Sequence, residues 1–180
     1  ESGYRVFRTA EVTAEMLAAA EKAYTGTDAL YFRAGDALAL GSAEHPVTAA
    51  VQYLDRMLVF HDSGVWVLRC PGAGQDDSME ITVYQSGIGC VATDGAVLCR
   101  GVPVVLSPSG VGRIGLISSG SDICQMTLIS GDVADRLTEA VLRNAVIRWS
   151  DRENRLWLRD VTDAEGTVWL TDPEGEHWTR

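Results

Sequence analysis

The sequence has little positive charge and no long apolar run. Lys22 is the single lysine, and 15 basic residues stand against 25 acidic ones, for a net charge of −10. Because an acidic chain is repelled by phosphates, specific readout of nucleic acid is not expected. No stretch approaches the roughly 18 consecutive apolar residues of a membrane-spanning helix. Groove-reading and membrane-spanning functions are therefore excluded as first choices.

The cysteines and histidines lack the spacing of a metal site. The four cysteines contain no Cys-x-x-Cys pair, so zinc is not expected, and four buried thiols are favoured over two disulfides. None of the histidines is followed three or four residues later by a second ligand, which favours surface turns for all three. The residues concerned are Cys70, Cys90, Cys99 and Cys124, and His45, His61 and His177.

The remaining candidates for chemistry also have simpler interpretations. The serines occur outside any Gly-x-Ser-x-Gly motif, and turn formation accounts for them. Residues 110–115, GVGRIG, match the spacing of a dinucleotide-binding motif, but they open a predicted strand rather than a helix. The acidic residues at 76–77 and 160–165 lie in hydrophilic loops. The serines concerned are Ser63, Ser107, Ser109 and Ser130. The sequence therefore predicts that the chain has no catalytic, cofactor-binding or metal-binding residue, needs no cofactor and is not an enzyme.

A short hairpin pattern is repeated along the chain. Residues 58–68 read LVFHDSGVWVL, with two apolar arms around a polar turn that ends in Gly64. Residues 104–114, VVLSPSGVGRI, align Gly110 with Gly64, 46 residues later, and residues 168–178, VWLTDPEGEHW, place Gly175 in the same role. Apolar arms joined by turn residues predict β-hairpins, and a period of about 40–50 residues is typical of a β-propeller blade.

Two segments interrupt this β pattern. Residues 13–24 and 132–146 have the composition and caps of α-helices. The prediction is a mainly β fold of propeller-like antiparallel blades, partial or open, with two α-helices. Residues 1–46 form an N-terminal strand-helix-loop segment, and residues 47–180 form the β domain. About three blades do not close a ring, so a longer chain, several copies or an open β-structure would accommodate them.

Three segments resemble a known group of proteins. Residues 52–68, QYLDRMLVFHDSGVWVL, and residues 87–114, GIGCVATDGAVLCRGVPVVLSPSGVGRI, are similar to the propeller of tailed-phage tail hub and head-closure proteins, including packaged-DNA stabilisation and nozzle-type proteins. The matching positions include Gly89-Cys90-Val91-Ala92 and Gly110-Val111, and residues 144–180 look like a further blade. The resemblance covers roughly residues 48–180.

The resemblance implies a structural virion component, a tail hub or head-to-tail connector subunit that assembles around the DNA exit channel. Its partners would be portal, tail or nozzle proteins and further copies of itself in a ring. It would be assembled in the cytoplasm of the bacterial host and located in the virion. An acidic surface suits a DNA channel, because repulsion prevents the genome from sticking as it passes.

Two other functions remain open from the sequence. Asp62-Ser63-Gly64-Val65-Trp66 resembles the Asp-box turn of sialidases, which favours a carbohydrate-binding or sialidase-like propeller. This segment is one residue short, lacks the usual threonine, and is accompanied by no identifiable arginine triad. Most of the five tryptophans are interpreted as core or blade-to-blade packing, with an aromatic binding platform as the alternative. An interaction domain of a bacterial surface or secretion machine is the other possibility.

Overall fold

A computed structural model describes residues 4–7, 37–69, 80–118 and 120–180. In this part of the chain the fold is mainly β, as predicted, and all strand pairs are antiparallel. Among the described residues, no helix combines the length and the apolar character needed to cross a bilayer.

The strands form a two-stranded ribbon and three meandering sheets. The ribbon pairs β1 (Tyr4–Phe7) with β2 (Ala37–Leu40). The first sheet contains β3 (Ala49–Tyr53), β4 (Arg56–Phe60), β5 (Gly64–Arg69) and β6 (Glu80–Ser86). The second contains β7 (Ala96–Cys99), β8 (Val102–Ser107), β9 (Gly110–Leu116) and β10 (Cys124–Leu128). A 3-10 turn (Gly131–Val133) and the helix α1 (Glu139–Arg143) lead to the third sheet, which contains β11 (Ala145–Ser150), β12 (Arg155–Asp160) and β13 (Val168–Thr171).

Two of the three predicted hairpins are confirmed as equivalent. Gly64 and Gly110 each begin the third strand of their sheet. The third alignment is wrong, because Gly175 follows the third strand of its sheet, and only a bridge between Leu170 and Thr179 closes the turn. Apolar segments on both sides of a glycine turn indicate a hairpin. They do not indicate between which two strands of a sheet the turn lies.

The predicted helix at 132–146 is wrong in its extent. The α-helix is five residues long, and β11 begins at Ala145. Val146 and Ile147 pair with Arg159 and Leu158 of β12. Because β-branched residues favour strands, this cross-strand pairing prevails over the helical periodicity. The predicted helix at 13–24 lies outside the described residues. The boundary between residues 46 and 47 stays a prediction.

The second sheet is buried on both faces. Val105 and Ile114 pack with the first sheet, whereas Val104 and Leu106 pack with the third sheet. Successive residues of β8 thus point to opposite cores, as the twofold repeat of a strand requires. At one end of the stack β7 lies beside both β3 and β11, so the first strands of the three sheets are neighbours. Leu40 of the ribbon packs with Val59 and Leu68 of the first sheet.

Polar contacts connect the first two sheets near their outer parts. Arg56 on β4 is 4 % exposed, and its Nε donates to Asp122 Oδ1 at 2.5 Å. Arg69 on β5 also reaches Asp122 Oδ1, at 3.0 Å from its Nη2. The side chain of Gln85 on β6 bonds both backbone groups of Cys124 on β10, donating at 3.1 Å and accepting at 2.6 Å. These contacts fix the orientation of the two sheets.

Three cysteines are free and buried: Cys90, Cys99 and Cys124. This agrees with the thiol interpretation for these residues, while Cys70 lies outside the described part. Burial raises the pKa of all three thiols, that of Cys124 to about 11. They are therefore protonated and shielded at neutral pH.

Thiol labelling is expected to separate the folded from the unfolded chain. Because the thiolate is the reactive form and these three thiols are protonated and inaccessible, at most one of the four thiols should react with a disulfide reagent at neutral pH. All four should react in denaturant. Rapid reaction of two or more thiols in the native protein would contradict the described packing.

Asp172 organises the turn after β13. Its carboxylate accepts from the backbone N–H groups of Glu174, Glu176 and His177, at 2.9, 3.1 and 3.2 Å. Burial raises the pKa of Asp172, but the backbone hydrogen bonds outweigh it, so that the pKa is lowered from its ordinary value of 3.8. The turn therefore depends on the ionised carboxylate.

Replacement of Asp172 by alanine is expected to cost about 1 kcal/mol at neutral pH, because three charge-assisted hydrogen bonds are lost from a partly exposed turn. A lowered native pKa stabilises the fold above the unfolded pKa, and this contribution is lost as the pH falls through the native pKa. The difference between wild type and variant in urea melts should therefore shrink below about pH 4. A difference that is the same at pH 3 and pH 7 would contradict this role.

Candidate functional site

Polar side chains converge at the turn between β4 and β5. His61, Asp62 and Ser63 form this turn, which the backbone closes with a 3.0 Å bond from His61 N to Gly64 O. His45 reaches the same place from the loop before β3. The Nδ1 atoms of His45 and His61 lie 3.1 and 3.0 Å from Asp62 Oδ1. The turn thus collects two imidazoles around one carboxylate oxygen.

His61 is buried, with 3 % exposure, and the prediction of a surface histidine is wrong for it. Its Nε2 lies 3.1 Å from the hydroxyl of Tyr84, and its ring stacks on Tyr84 with centroids 5.8 Å apart. Trp66 lies against another side of the ring, at 4.7 Å. Trp66 and Tyr84 are cross-strand partners of β5 and β6. This aromatic pair covers the imidazole and sets its orientation.

Gly64 makes room for this arrangement. A Cβ at this position would lie 2.5 Å from His61 Nε2 and 2.7 Å from the Tyr84 hydroxyl. Any larger residue would separate the two groups. The glycine that indicates a hairpin in the sequence is therefore also required by the side chains packed across it.

A second loop supports the turn from the other side. Gly87 N donates to Ser63 O at 2.8 Å, and Cys90 N donates to His61 O at 2.7 Å. Gly89 lies so close to Asp62 that a Cβ would come within 2.2 Å of the Asp62 carbonyl oxygen. Residues 87–90, GIGC, therefore support the turn through backbone hydrogen bonds and close backbone packing.

His45 is held by its own loop although it is exposed. Ser42 N donates to His45 O at 3.1 Å, and His45 N donates to Ser42 Oγ at 3.1 Å. Gly41 has a φ of +76°, and a Cβ there would lie 2.7 Å from His45 O. Past Pro46, Thr48 donates to Phe60 O from its N at 2.9 Å, which ties the loop to the end of β4.

The electrostatics favour an ionised Asp62. Burial raises the pKa of Asp62, but hydrogen bonds from His61, His45 and Ser63 together outweigh it and lower the pKa below 3.8. The carboxylate is the only anionic group of the set His45, His61 and Asp62, whose donor atoms all lie within 4.8 Å of one another. Two imidazoles and a carboxylate are a donor set for a transition-metal ion.

The same residues do not form a hydrolytic triad. In a triad one imidazole nitrogen faces the serine and the other faces the aspartate. Here Ser63 Oγ and Asp62 Oδ1 both face Nδ1 of His61, at 3.4 and 3.0 Å, and Nε2 faces Tyr84. His61 therefore cannot accept a proton from Ser63 on one ring nitrogen while Asp62 orients it through the other.

The other sequence candidates lie apart from this cluster. His177 is exposed in the C-terminal turn, and Ser130 is buried with its Oγ accepting from Val111 N at 2.9 Å. Ser107 accepts from Ser109 N at 3.2 Å within the β8–β9 turn. Gly110–Gly115 lies in β9, where a Cβ on Gly112 would meet Met126 at 2.6 Å. Asp76 and Asp77 fall outside the described residues.

No family model matches the chain, and no curated protein matches it.

Proposed function

We propose that the chain is a structural component of a tailed-phage virion, a tail hub or head-to-tail connector subunit that assembles around the DNA exit channel. One observation carries the proposal. Three antiparallel meanders follow one another along the chain, stack face to face, and bring their first strands together at one end. Successive blades of a β-propeller are arranged in this way.

The stack is suited to hold neighbouring subunits at fixed positions. The second sheet is buried on both faces, and Asp122 and Gln85 tie it to the first sheet. Because the three sheets are held rigidly together, their edge strands would meet neighbouring subunits at fixed positions. About three blades leave room in a ring of at least four, and further blades of the same polypeptide or of other copies would complete it.

The outer strands carry apolar side chains that suit contacts with neighbours. Within the described part of the chain, β6 and β10 end their sheets, and a strand edge is a natural site for pairing or packing. Ile81 on β6 is 43 % exposed and Leu128 on β10 is 47 % exposed, and Ile117 and Ile123 near β10 are exposed as well. Exposed apolar residues on outer strands offer contact area to neighbouring subunits.

The charge and the resemblance support the same role. A net charge of −10 disfavours adhesion to DNA, which suits a wall along which a genome passes. The three segments that resemble tail hub and head-closure proteins include the β4–β5 and β8–β9 hairpins. Portal, tail or nozzle proteins would be the neighbours, and the virion the location.

The proposal is tested by quantitative mass spectrometry of gradient-purified particles from a lysate of the strain that carries the gene. The expected result is a constant number of copies per particle. Ile81→Lys should reduce incorporation severalfold because it adds charge to an edge strand, while Val161→Lys, at a residue 59 % exposed in the turn after β12, serves as the control. Absence of the chain from the particles would refute the proposal.

A further inference from the structure

We propose that His45, His61 and Asp62 form a binding site for a divalent transition-metal ion, with Zn²⁺ as the first candidate. The donor atoms of the three residues already lie within 4.8 Å of one another. They come from two separate segments, the loop before β3 and the β4–β5 turn. A site of this kind is independent of any role in a virion.

Two of the three separations between the ligand atoms are close to those around a four-coordinate ion. Zn–N and Zn–O bonds of about 2.0–2.1 Å place tetrahedral ligands about 3.3 Å apart. Asp62 Oδ1 lies 3.1 Å from His45 Nδ1 and 3.0 Å from His61 Nδ1. The third separation, between the ligand nitrogens of His45 and His61, is at most 4.8 Å, so binding requires the imidazole of His45 to move towards that of His61. The side chain of His45, with 54 % exposure, has the freedom to make this adjustment.

Ser63 offers a fourth donor beside two of these ligands. Its Oγ lies 3.1 Å from Asp62 Oδ1 and 3.4 Å from His61 Nδ1, which are again the separations of neighbouring ligands. Either this hydroxyl or a water molecule in its place would complete the coordination. Three of the four donors thus come from the consecutive turn residues His61, Asp62 and Ser63. The fourth, His45, comes from the loop before β3.

The surroundings hold His61 in the orientation that a ligand requires. A metal-bound imidazole usually directs its second nitrogen to a hydrogen-bond acceptor. When Nδ1 of His61 faces the ion, Nε2–H donates to the Tyr84 hydroxyl, which lies 3.1 Å away. The contacts with Trp66 and Tyr84 keep the ring in place, and Gly64 leaves space for them. The contact between His61 Nε2 and the Tyr84 hydroxyl is present in the structure without an ion.

The donor chemistry selects among the metals. Imidazole nitrogen suits zinc, copper, nickel and iron, whereas calcium and magnesium prefer sites built from oxygen alone. One carboxylate against a doubly charged ion leaves a complex of net charge +1, which the surrounding acidic chain tolerates. The other thiol and imidazole groups of the described residues, the protonated, buried cysteines and His177, lie outside this cluster.

The test is calorimetric titration of tag-free protein with Zn²⁺, after dialysis against a chelator, with Co²⁺ absorption as a spectroscopic check. Wild type should bind one ion per chain, and its thermal midpoint should rise with Zn²⁺. His45→Ala removes an exposed ligand without disturbing the core, and affinity should fall at least about tenfold. His177→Ala removes the third histidine, which lies elsewhere, and should leave the affinity unchanged.

The outcomes separate a site from adventitious binding. Tetrahedral Co²⁺ bands in wild type and in His177→Ala, but not in His45→Ala or Asp62→Asn, would support the proposed ligands. Failure of the wild type to bind Zn²⁺ or Co²⁺ would overturn the proposal. Equal affinity in wild type and His45→Ala would overturn it as well, since the ion would then be held elsewhere.

Discussion

Replacement of Gly89 by alanine is expected to destabilise the protein by about 3 kcal/mol, at the upper end of the usual cost of overpacking. An added Cβ would lie 2.2 Å from the Asp62 carbonyl oxygen, 2.5 Å from the Asp62 carbonyl carbon and 2.6 Å from Ser63 N. All three atoms are backbone, so no rotamer change can relieve the overlap. The loop can move only by breaking the bonds from Gly87 N and Cys90 N to the turn.

The matched control is Gly115→Ala on β9. A Cβ at Gly115 would meet nothing within 4 Å, so this substitution should change stability by less than about 0.5 kcal/mol. Urea melts of the two variants followed by tryptophan fluorescence give the comparison. Equal midpoints for Gly89→Ala and the wild type would show that the loop does not brace the turn as described.

Removal of the Asp122 carboxylate is expected to cost a similar amount, about 3 kcal/mol at neutral pH. The Asp122→Ala variant leaves the guanidinium of Arg56 inside the protein, where only 3 % of its side chain is exposed, with Asp55 as its remaining carboxylate partner. A buried charge that loses a partner is strongly destabilising, because its desolvation is no longer offset. The change would also loosen the connection between the first and second sheets.

Two comparisons identify the cause. The double variant Arg56→Met with Asp122→Ala removes both charges and should recover a large part of the lost stability. Asp135→Ala, at a side chain that is 78 % exposed, should have almost no effect. If the double variant were less stable than Asp122→Ala by the full cost of a second core substitution, the charge argument would be wrong.

The same interaction gives a dependence on pH. Burial raises the pKa of Asp122, but Arg56 and Arg69 outweigh it and lower the pKa below 3.8. A group with a lowered native pKa contributes its stability above the unfolded pKa and loses it as the pH falls through the native one. The difference between wild type and Asp122→Ala should therefore be constant above about pH 5 and shrink in more acidic solution.

The hairpins could be predicted because each is a local pattern. Alternating apolar residues and glycine turns specify the pairs β4–β5 and β8–β9 within about a dozen residues. The pattern fails at the third hairpin, because the same local sequence signs surround Gly175, which follows β13 instead of preceding a third strand. The helix predicted at 132–146 is too long. The helical periodicity of these residues does not show that Ala145–Ser150 pair with β12, because the partner residues lie further along the chain.

The site could be predicted only in part. The register of β3 with β4 pairs Ala49 with Phe60, which places the residues before β3 beside those after β4. Extending a predicted hairpin in this way would have brought His45 towards the turn at His61. No such signal places Tyr84 against His61, because the β5–β6 register includes a bulge between Val67 and Leu68 that the sequence pattern does not predict.

The stacked sheets and the resemblance to phage proteins lead us to propose that the chain belongs to the structure surrounding the DNA channel. Cryo-electron microscopy of particles from the strain carrying the gene is the decisive measurement. We expect three-sheet units of this shape to form a ring around the channel at the neck or tail, with an acidic surface towards the lumen. A reconstruction that lacks the chain there, or shows it lining the lumen with a positive surface, would refute the proposal.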